Sequence, residues 1–580
     1  MTQDDSKQAL RPWAGEALWG GAPPGSRTVE VAADGAGRYR ATGQAGQAPA
    51  FAVALREDQL RRFLRQVERD GATWHGPPWA DPGQEPPFKW GPIGDQGDEK
   101  PPPTRPTVAA PDAAPLLLLA DAERRRPVLP EGALDAGAVA RVPRLDTPLP
   151  SPERYGDPGG NPNDLARQRW GVIAPRGPAG DALLEAVRPL VELRAEQQGA
   201  PVRTYRVAPG GGIAEANDWA RTVYLEEGTP EEERPRYLLI LGDLGDVSAE
   251  LQQRLGASAA VGRLCFDDPA GYRAYAEKAV RQEKSPPQRD ARALFFTAHD
   301  GTTATTTGYG FLVAPALELC DAVPRRQYPV REVLEVGSRD DWSARRLLDA
   351  VRDDGPSVLF TVSHGVAAPR GWPSARRRQL QGAMSFGDQE PLTAEHVARG
   401  PFLPGGAWFF LACLSAGTPS RSAYRPWLER LRESGQYGGR VEDVLAALPA
   451  AGEPPFIAAL PRAALANPDG PLAVIGHLDL AWTYAFRDPY GARRPSRFVE
   501  VVKQLWSGRR AGVAARALLR FASEAEGELL GMAQLDAELL AGAPPPPEAV
   551  HRGHLWMARH DLAGYVLLGD PAARVAPARD

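Results

Sequence analysis

Cysteine is scarce in this sequence of 580 residues, which contains only Cys265, Cys320 and Cys413. Three cysteines cannot build a disulfide framework or a four-cysteine metal site. An odd and sparse cysteine count is typical of proteins from a reducing compartment. The cysteine content therefore predicts a cytoplasmic protein without a disulfide framework or a four-cysteine metal site.

Long hydrophobic runs and a strong charge of one sign are also missing. The longest apolar runs, such as residues 116–120, are far too short to cross a bilayer. The first 19 residues lack the basic and apolar regions of a signal peptide. With 68 Lys and Arg against 73 Asp and Glu, the net charge of -5 gives no reason to expect a nucleic acid or a membrane as partner.

Glycine and proline are frequent, at 60 and 59 residues, which favours long connectors between domains. Residues 1–92 combine strand-like stretches with an amphipathic helical pattern and predict a small α+β accessory module. Residues 93–163 are dominated by proline and predict a linker, with one strand at Leu116–Leu119. The module and the linker suggest regulation or recognition of a protein partner.

From Trp170 onwards, apolar strand-like runs alternate with helical patterns. One series of such runs falls in residues 164–288 and a second in residues 289–580, where PFIAAL (455–460) is one of the predicted strands. Continuous apolar strands separated by helices indicate a mostly parallel sheet covered by helices. The sequence therefore predicts an α/β fold with two α/β subdomains.

His364 and Cys413 each follow a strongly apolar strand candidate, SVLFTV and AWFFL respectively. The carboxyl ends of adjacent parallel strands meet at one edge of a sheet, so we expect the two side chains to lie close together. An imidazole beside a thiol raises the thiolate population and can later protonate a leaving amine. This pattern predicts Cys413 as nucleophile and His364 as general base.

Glycine follows the histidine directly, which lets the backbone approach a substrate closely. The backbone N–H groups of Gly365 and Cys413 are the predicted donors to a developing oxyanion. The alternative is that Cys413 is a buried structural residue and His364 a loop histidine. Cys265, within a strand candidate, and Cys320 are interpreted as structural.

The order strand–Ser-His-Gly, then strand–Ala-Cys-x-Ser-Ala-Gly, resembles the clan of caspases, gingipains, separases and CHAT-domain peptidases. The gingipain-like and CHAT-like branches fit best: WGVIAP, YLLILGD and YVLLGDPAARV are similar to gingipain-type segments, and GDQEPLTAEHV to a CHAT segment. The resemblance covers about 164–575. It implies a non-catalytic subdomain at 164–288, a catalytic one at 289–580, peptide or protein substrates, and chemistry that needs neither a metal nor an organic cofactor.

In this clan, the loop after the first strand of the catalytic sheet helps to line the pocket for the residue preceding the cut. Here that loop is 298–308, and an anionic Asp300 in it would select arginine or lysine. Asp479 is a second candidate for this role. The alternative for both is an aspartate that accepts backbone hydrogen bonds in a turn.

The sequence thus predicts a cysteine endopeptidase that acts through an acyl-enzyme. One alternative is an inactive caspase-like scaffold that binds proteins, and another is a related reaction such as transpeptidation or amide hydrolysis on a small molecule. Residues 366–384 are predicted to form an exposed loop, because they show no helical or strand period. An enzyme that selects arginine would cut itself there, at Arg376, Arg377 or Arg378, unless the loop is a basic surface that is never cut.

Overall fold

The structure, a computed structural model, leaves some segments undescribed. It describes residues 19, 23, 25–33, 38–46, 48–56, 60, 63–64, 67, 72–75, 114–130, 132–142, 161–285, 290–322, 330–353, 355–369, 371–450, 452–538 and 549–576. The chain divides into two compact units, Met1–Thr104 and Arg105–Asp580.

The first unit contains a four-stranded sheet in the order β3-β2-β1-β4. Its core includes Leu60, Phe63, Leu64 and Val67, which are helical and buried, so the predicted combination of strands and a helix is present. Leu55 precedes the helical residues and lies in a strand, where it pairs with Tyr39. The strands are β1 (Arg27–Ala33), β2 (Arg38–Ala45), β3 (Ala48–Arg56) and β4 (Thr73–His75).

The second unit is organised around one ten-stranded, mostly parallel sheet, which confirms the predicted α/β class. The strands of this unit are β5 (Leu119–Asp121), β6 (Trp170–Pro175), β7 (Arg203–Val207), β8 (Tyr237–Leu241), β9 (Ala260–Leu264), β10 (Arg292–Thr297), β11 (Glu332–Val336), β12 (Ser357–Val362), β13 (Gly365–Ala367), β14 (Met384–Phe386), β15 (Gln389–Leu392), β16 (Ala407–Leu411), β17 (Gly417–Thr418), β18 (Phe456–Ile457), β19 (Ala473–His477) and β20 (Tyr565–Gly569).

The large sheet runs in the order β11-β10-β12-β16-β19-β20-β9-β8-β6-β7. Both predicted strand series therefore lie in one sheet, and they meet at β20, which is antiparallel to β19 and also pairs with β9. A small sheet, β15-β14-β13-β5, contains residues from the segment that we expected to be a linker. In that segment, Leu118, Leu119 and Val139 are fully buried.

Helices cover the sheet on both faces, and this is why inner strands such as β8 and β16 are apolar throughout. In β16, Ala407, Phe409 and Leu411 belong to one hydrophobic cluster. Trp408 and Phe410 belong to another. The α-helices are Leu165–Gln168, Pro178–Ala186, Arg188–Gln198, Ile213–Trp219, Ala249–Gly256, Pro269–Lys284, Thr303–Gly308, Ala314–Ala322, Ala344–Ala350, Ser374–Leu380, Ala394–Ala398, Arg425–Glu433, Gly438–Ala447, Ala459–Ala466, Ser496–Trp506, Ala511–Glu538 and Ala549–Ala563.

Two local predictions were wrong. PFIAAL (455–460) contains only the two-residue β18, outside the large sheet, before the helix Ala459–Ala466 begins. Residues 374–380, expected to lie in an irregular loop, form a helix. Two of its arginines form ion pairs with residues remote in sequence. Arg377 Nη1 lies 2.5 Å from Glu453 Oε2, and Arg378 Nη2 lies 2.7 Å from Asp243 Oδ2. Tertiary ion pairs therefore support a helix that has no apolar face of its own.

Candidate active site

Three adjacent parallel strands bring the predicted site residues to one edge of the sheet. Val362, at the end of β12, pairs with Leu411 at the end of β16. His364 and Cys413 each follow two residues later, so the predicted neighbourhood of their strands is confirmed. Strand β10 lies on the other side of β12 and leads into the loop that contains Asp300.

Gly365 allows the histidine loop to lie directly against the cysteine loop. A β-carbon at this position would fall 1.8 Å from the Cys413 carbonyl oxygen, so no other residue fits without displacing one of the loops. Beyond the cysteine, Leu414 adopts a positive φ of 57°. Its N–H donates to the Asp479 carbonyl oxygen over 2.9 Å, which fixes the turn in place.

His364 is almost completely buried, with 1% of its surface exposed. Its Nε2 lies 2.9 Å from the Thr302 hydroxyl oxygen and 3.6 Å from Asp300 Oδ2. The other ring nitrogen, Nδ1, has no hydrogen-bond partner in the described part of the chain. Burial lowers the pKa of His364, and the Asp300 carboxylate opposes that shift. The imidazole is therefore neutral at physiological pH. Its Nε2 is hydrogen-bonded to Thr302, and its Nδ1 can accept a proton.

Asp300 faces the histidine. Its Oδ1 accepts hydrogen bonds from the Thr302 N–H at 3.1 Å, the Thr302 hydroxyl at 2.8 Å and the Thr305 hydroxyl at 2.7 Å. The carboxylate is thus engaged by its own loop and by His364. The two threonines were not predicted as site residues, although the threonine-rich run TTATTTG, which follows Asp300 and Gly301, was a visible signal.

The Cys413 side chain is fully buried, with 0% exposure. Its Sγ accepts a hydrogen bond from the Ala481 N–H at 3.2 Å and lies 3.4 Å from the Ala481 carbonyl oxygen. Within the described residues, no hydrogen bond joins this sulfur to the ring of His364. Burial raises the pKa of the Cys413 thiol well above its ordinary value, and hydrogen bonds to the Ala481 and Leu118 backbone oppose the shift only partly. The cysteine is therefore a protonated thiol in this state.

The two predicted oxyanion donors point at the same atom. The Gly365 N–H lies 2.7 Å from the Leu118 carbonyl oxygen, and the Cys413 N–H lies 3.0 Å from it. Two converging N–H groups beside a thiol form a site in which a carbonyl oxygen can gain negative charge.

Asp479 lies on the other side of Cys413 and has different partners. Its carboxylate accepts hydrogen bonds, each of 2.8 Å, from the Ser422 hydroxyl and from the N–H groups of Ala423 and Leu480. Burial raises the pKa of Asp479 to about 6, which the hydrogen bonds oppose. Asp479 thus joins the 422–424 turn, through its carboxylate, to the cysteine loop, through its carbonyl oxygen.

The described residues contain no group of three or more His, Cys, Asp or Glu residues that could hold a metal ion. None of the described helices is both long and apolar enough to cross a membrane.

The sequence matches no protein-family model and no curated protein. Among solved structures, the Arg-specific cysteine proteinase gingipain R (RGPB) aligns with a TM-score of 0.40 and 13% identity over 73% of this chain and 80% of that chain. A structure described as a protease aligns with a TM-score of 0.40 and 14% identity over 70% of this chain and 78% of that chain. Rp1789 of Rhodopseudomonas palustris aligns with a TM-score of 0.15 and 11% identity over 69% of this chain and 96% of that chain. Likenesses at these values do not assign this chain to a family.

Proposed function

We propose that this protein hydrolyses peptide bonds, with Cys413 as nucleophile and His364 as general base and acid. The observation that supports this most is the convergence of the Gly365 and Cys413 N–H groups on one carbonyl oxygen, next to the Cys413 thiol. A buried cysteine with a purely structural role does not need a pair of donors arranged in this way.

The reaction starts when the thiol proton moves to Nδ1 of His364, the ring nitrogen without a partner. The sulfur then attacks the carbonyl carbon, and the oxygen gains charge between the N–H groups of Gly365 and Cys413. The C–N bond breaks as His364 returns the proton to the leaving amine, which leaves a thioester on Cys413. A water molecule, deprotonated by His364, attacks the thioester and releases the acid.

Asp300 is a positioning residue in this scheme. It lies 3.6 Å from Nε2 of His364, and its negative charge favours the protonated imidazole that forms during the reaction. Thr302 donates to Asp300 and also contacts Nε2, so the loop 298–308 sets the orientation of the ring.

A preference for arginine or lysine before the cut stays a prediction. It requires Asp300 or Asp479 to turn a carboxylate oxygen toward a substrate cation, in exchange for the hydrogen bonds that now occupy both groups. Asp300→Asn and Asp479→Asn, assayed on matched arginine and leucine peptides, test it. A selective loss on the arginine peptide would support a pocket role for the changed residue.

Self-cleavage at Arg376, Arg377 or Arg378 also stays a prediction. These residues lie in the helix Ser374–Leu380, and a peptidase binds extended chain, so this helix has to unfold before cleavage. Mass spectrometry of the wild type beside Cys413→Ala would detect a new terminus there. Its absence, while other substrates are cut, would count against the idea without affecting the catalytic assignment.

A protein-binding scaffold is the second candidate function. It is favoured by the contacts of the Cys413 sulfur, which bonds to the Ala481 backbone and not to His364. In a scaffold this arrangement would be permanent, whereas in a peptidase the thiol has to become accessible. A regulatory partner of the N-terminal module would suit either function and stays a prediction.

The deciding experiment is to profile cleavage of a denatured proteome by the wild type, Cys413→Ala and Cys265→Ala. Cys265 is a matched control, because it is also a buried free cysteine and burial raises its thiol pKa as well. We expect new peptide termini with the wild type and Cys265→Ala, formed by molecules in which the thiol has become accessible, and none with Cys413→Ala. Cleavage to the same extent by all three proteins would exclude Cys413 as the nucleophile.

A further inference from the structure

Residues 116–118 lie along a strand-like stretch that adjoins the candidate nucleophile. Leu117 forms an antiparallel bridge with Trp482. The Leu118 N–H donates to the Ala481 carbonyl oxygen over 3.2 Å, and the Thr483 N–H donates to the Leu116 carbonyl oxygen over 3.1 Å. Because Ala481 also contacts the Cys413 sulfur, this backbone pairing passes directly beside the thiol.

The next residues continue across the site. The Leu118 carbonyl oxygen is the atom on which the Gly365 and Cys413 N–H groups converge. Strand β5 then pairs with β13, directly after His364, and the Ala122 N–H donates to Ala367 over 3.0 Å. One extended segment is thus hydrogen-bonded on both sides of the carbonyl that the predicted oxyanion donors hold.

We propose that residues 116–121 occupy the substrate cleft as a bound peptide would, with Leu118 in the position that precedes the cut. This inference rests on the proposed function, because the cleft is a substrate cleft only in a peptidase. It has two consequences: the chain blocks its own site in this state, and the cleft accepts an apolar residue at the position of Leu118.

Burial is consistent with a blocked site. Cys413 is 0% exposed and His364 is 1% exposed, so a substrate cannot reach either group while the segment is in place. A cavity of about 430 Å³ beside His364 is itself walled partly by Leu116, Leu117 and Leu134. The segment, and not only the sheet, therefore separates the site from solvent.

The chain that follows the segment is anchored on the helices Arg425–Glu433 and Gly438–Ala447. The Trp427 indole N–H donates to the Ala138 carbonyl oxygen over 2.8 Å, and Arg440 Nη1 donates to the Ala133 carbonyl oxygen over 3.1 Å. An occupant tethered so close to its cleft has a high effective concentration. It can therefore exclude free peptides that bind with similar intrinsic affinity.

The apolar preference follows from what surrounds Leu118. Its side chain is fully buried in the same hydrophobic cluster as Leu480, Ala481 and Trp482. The two aspartates predicted to select a cation, Asp300 and Asp479, are bonded to hydroxyl and backbone groups. Burial raises the pKa of Asp561, a third carboxyl near Cys413, well above its ordinary value, which disfavours a negative charge there. A leucine at this position buries its surface without an unpaired charge.

The test compares Leu118→Asp with Leu190→Asp. Both leucines are fully buried, but Leu190 lies in the helix Arg188–Gln198 and belongs to a different hydrophobic cluster from Leu118. Alkylation of Cys413 by iodoacetamide, located by mass spectrometry, is the first readout. Burying a carboxylate in the cleft should expel the segment and raise the Cys413 rate by at least about tenfold in Leu118→Asp. Leu190→Asp should leave it within about threefold of the wild type.

A milder variant, Leu118→Ala, keeps the test valid if the aspartate prevents folding. It should raise the Cys413 rate by about three- to tenfold, since it removes only apolar contact. A peptide of residues 114–124, added to either variant, should return the rate toward that of the wild type. The same peptide with aspartate in place of leucine 118 should not. Unchanged Cys413 rates in both Leu118 variants would overturn the inference.

Hydrolysis is the second readout and separates the two proposals. Leu118→Asp should cut peptides with leucine before the scissile bond at least about tenfold faster than matched arginine peptides, because burying an unpaired cation is costly. The reverse preference would overturn the apolar assignment. Fast alkylation without any hydrolysis would refute the peptidase function and leave the occupied cleft standing.

Discussion

Two buried aspartates, Asp570 and Asp300, follow strands of the same sheet but are balanced in different ways. Asp570 Oδ2 lies 2.6 Å from Nη2 and 3.0 Å from Nε of Arg194, and both side chains are fully buried. Asp300 faces two threonine hydroxyls and the ring of His364. The permanent charge of Arg194 fixes the Asp570 carboxylate in its ionised form. The hydroxyls and the neutral imidazole around Asp300 leave a proton free to move. We interpret the first arrangement as structural and the second as one that positions the general base of the proposed peptidase.

The comparison is tested most strongly at His364. We expect His364→Ala and Cys413→Ala each to lower peptide hydrolysis by at least about 10⁴-fold, because neither group can start the reaction alone. The double variant should lose little more. Rates should be measured in the wild type and in the Leu118→Asp background, with circular dichroism to confirm that the fold is retained. A His364→Ala variant that keeps most of its activity would refute the catalytic pair.

Asp570→Ala should act on stability instead. Asp570 and Glu283 together hold the pKa of Arg194 above its ordinary value, although burial opposes this. Removing Asp570 leaves a buried guanidinium with only part of its counter-charge, which should lower the free energy of unfolding by about 3–5 kcal/mol. Glu395→Ala, which breaks the exposed pair with Arg399, is the control and should cost less than about 1 kcal/mol. Denaturant titration measures both, and similar losses would remove the contrast.

Asp300→Asn should reduce activity by about 10- to 100-fold while changing stability little, because the amide keeps the size of the side chain but loses its charge. Asp300 raises the pKa of His364, so its removal should lower that pKa further. The imidazole then stays neutral to lower pH, and the acidic limb of the pH–rate profile should shift toward acid. An unchanged profile would indicate that Asp300 has only a structural role.

The smallest expected effect concerns the pH dependence of Cys413 alkylation in the wild type. Burial raises the thiol pKa well above its ordinary value, so the thiolate is a minor form throughout the neutral range. Its population, and with it the alkylation rate, should rise about tenfold per pH unit between about pH 7 and pH 9. A plateau below about pH 8 would show that a thiolate already exists beside a charged imidazole.

The edge of the sheet that carries the site could be predicted because strands β12 and β16 are apolar throughout and end directly at Ser-His-Gly and Ala-Cys. Their side-chain pattern alone required burial on both faces. Gly365 was expected to let the backbone approach a substrate, and the close contact that the structure shows there is with the Cys413 backbone. Such features can be predicted because the residues that determine them are neighbours in sequence or lie at the same edge of the sheet.

The partners of Leu118 could not be predicted in the same way. Its carbonyl is held by Gly365 and Cys413, which lie more than two hundred residues further along the chain. A proline-rich segment with a short leucine run gives no sign of such partners, so we interpreted it as a linker. The helix Ser374–Leu380 escaped prediction for a similar reason, since its arginines are paired by Asp243 and Glu453.

The position of β20 within the sheet has a consequence for synthesis. Among the strands that the structure describes, Tyr565–Gly569 is the last to leave the ribosome, yet it lies between β19 and β9 in the interior of the sheet. Until it is made, each of those strands presents an unpaired edge, the feature that invites pairing with other chains. The nascent chain therefore carries two open strand edges, and both become paired in one late event when residues 565–569 join the sheet. Ribosome stalling before residue 565 should favour aggregation over partial folding.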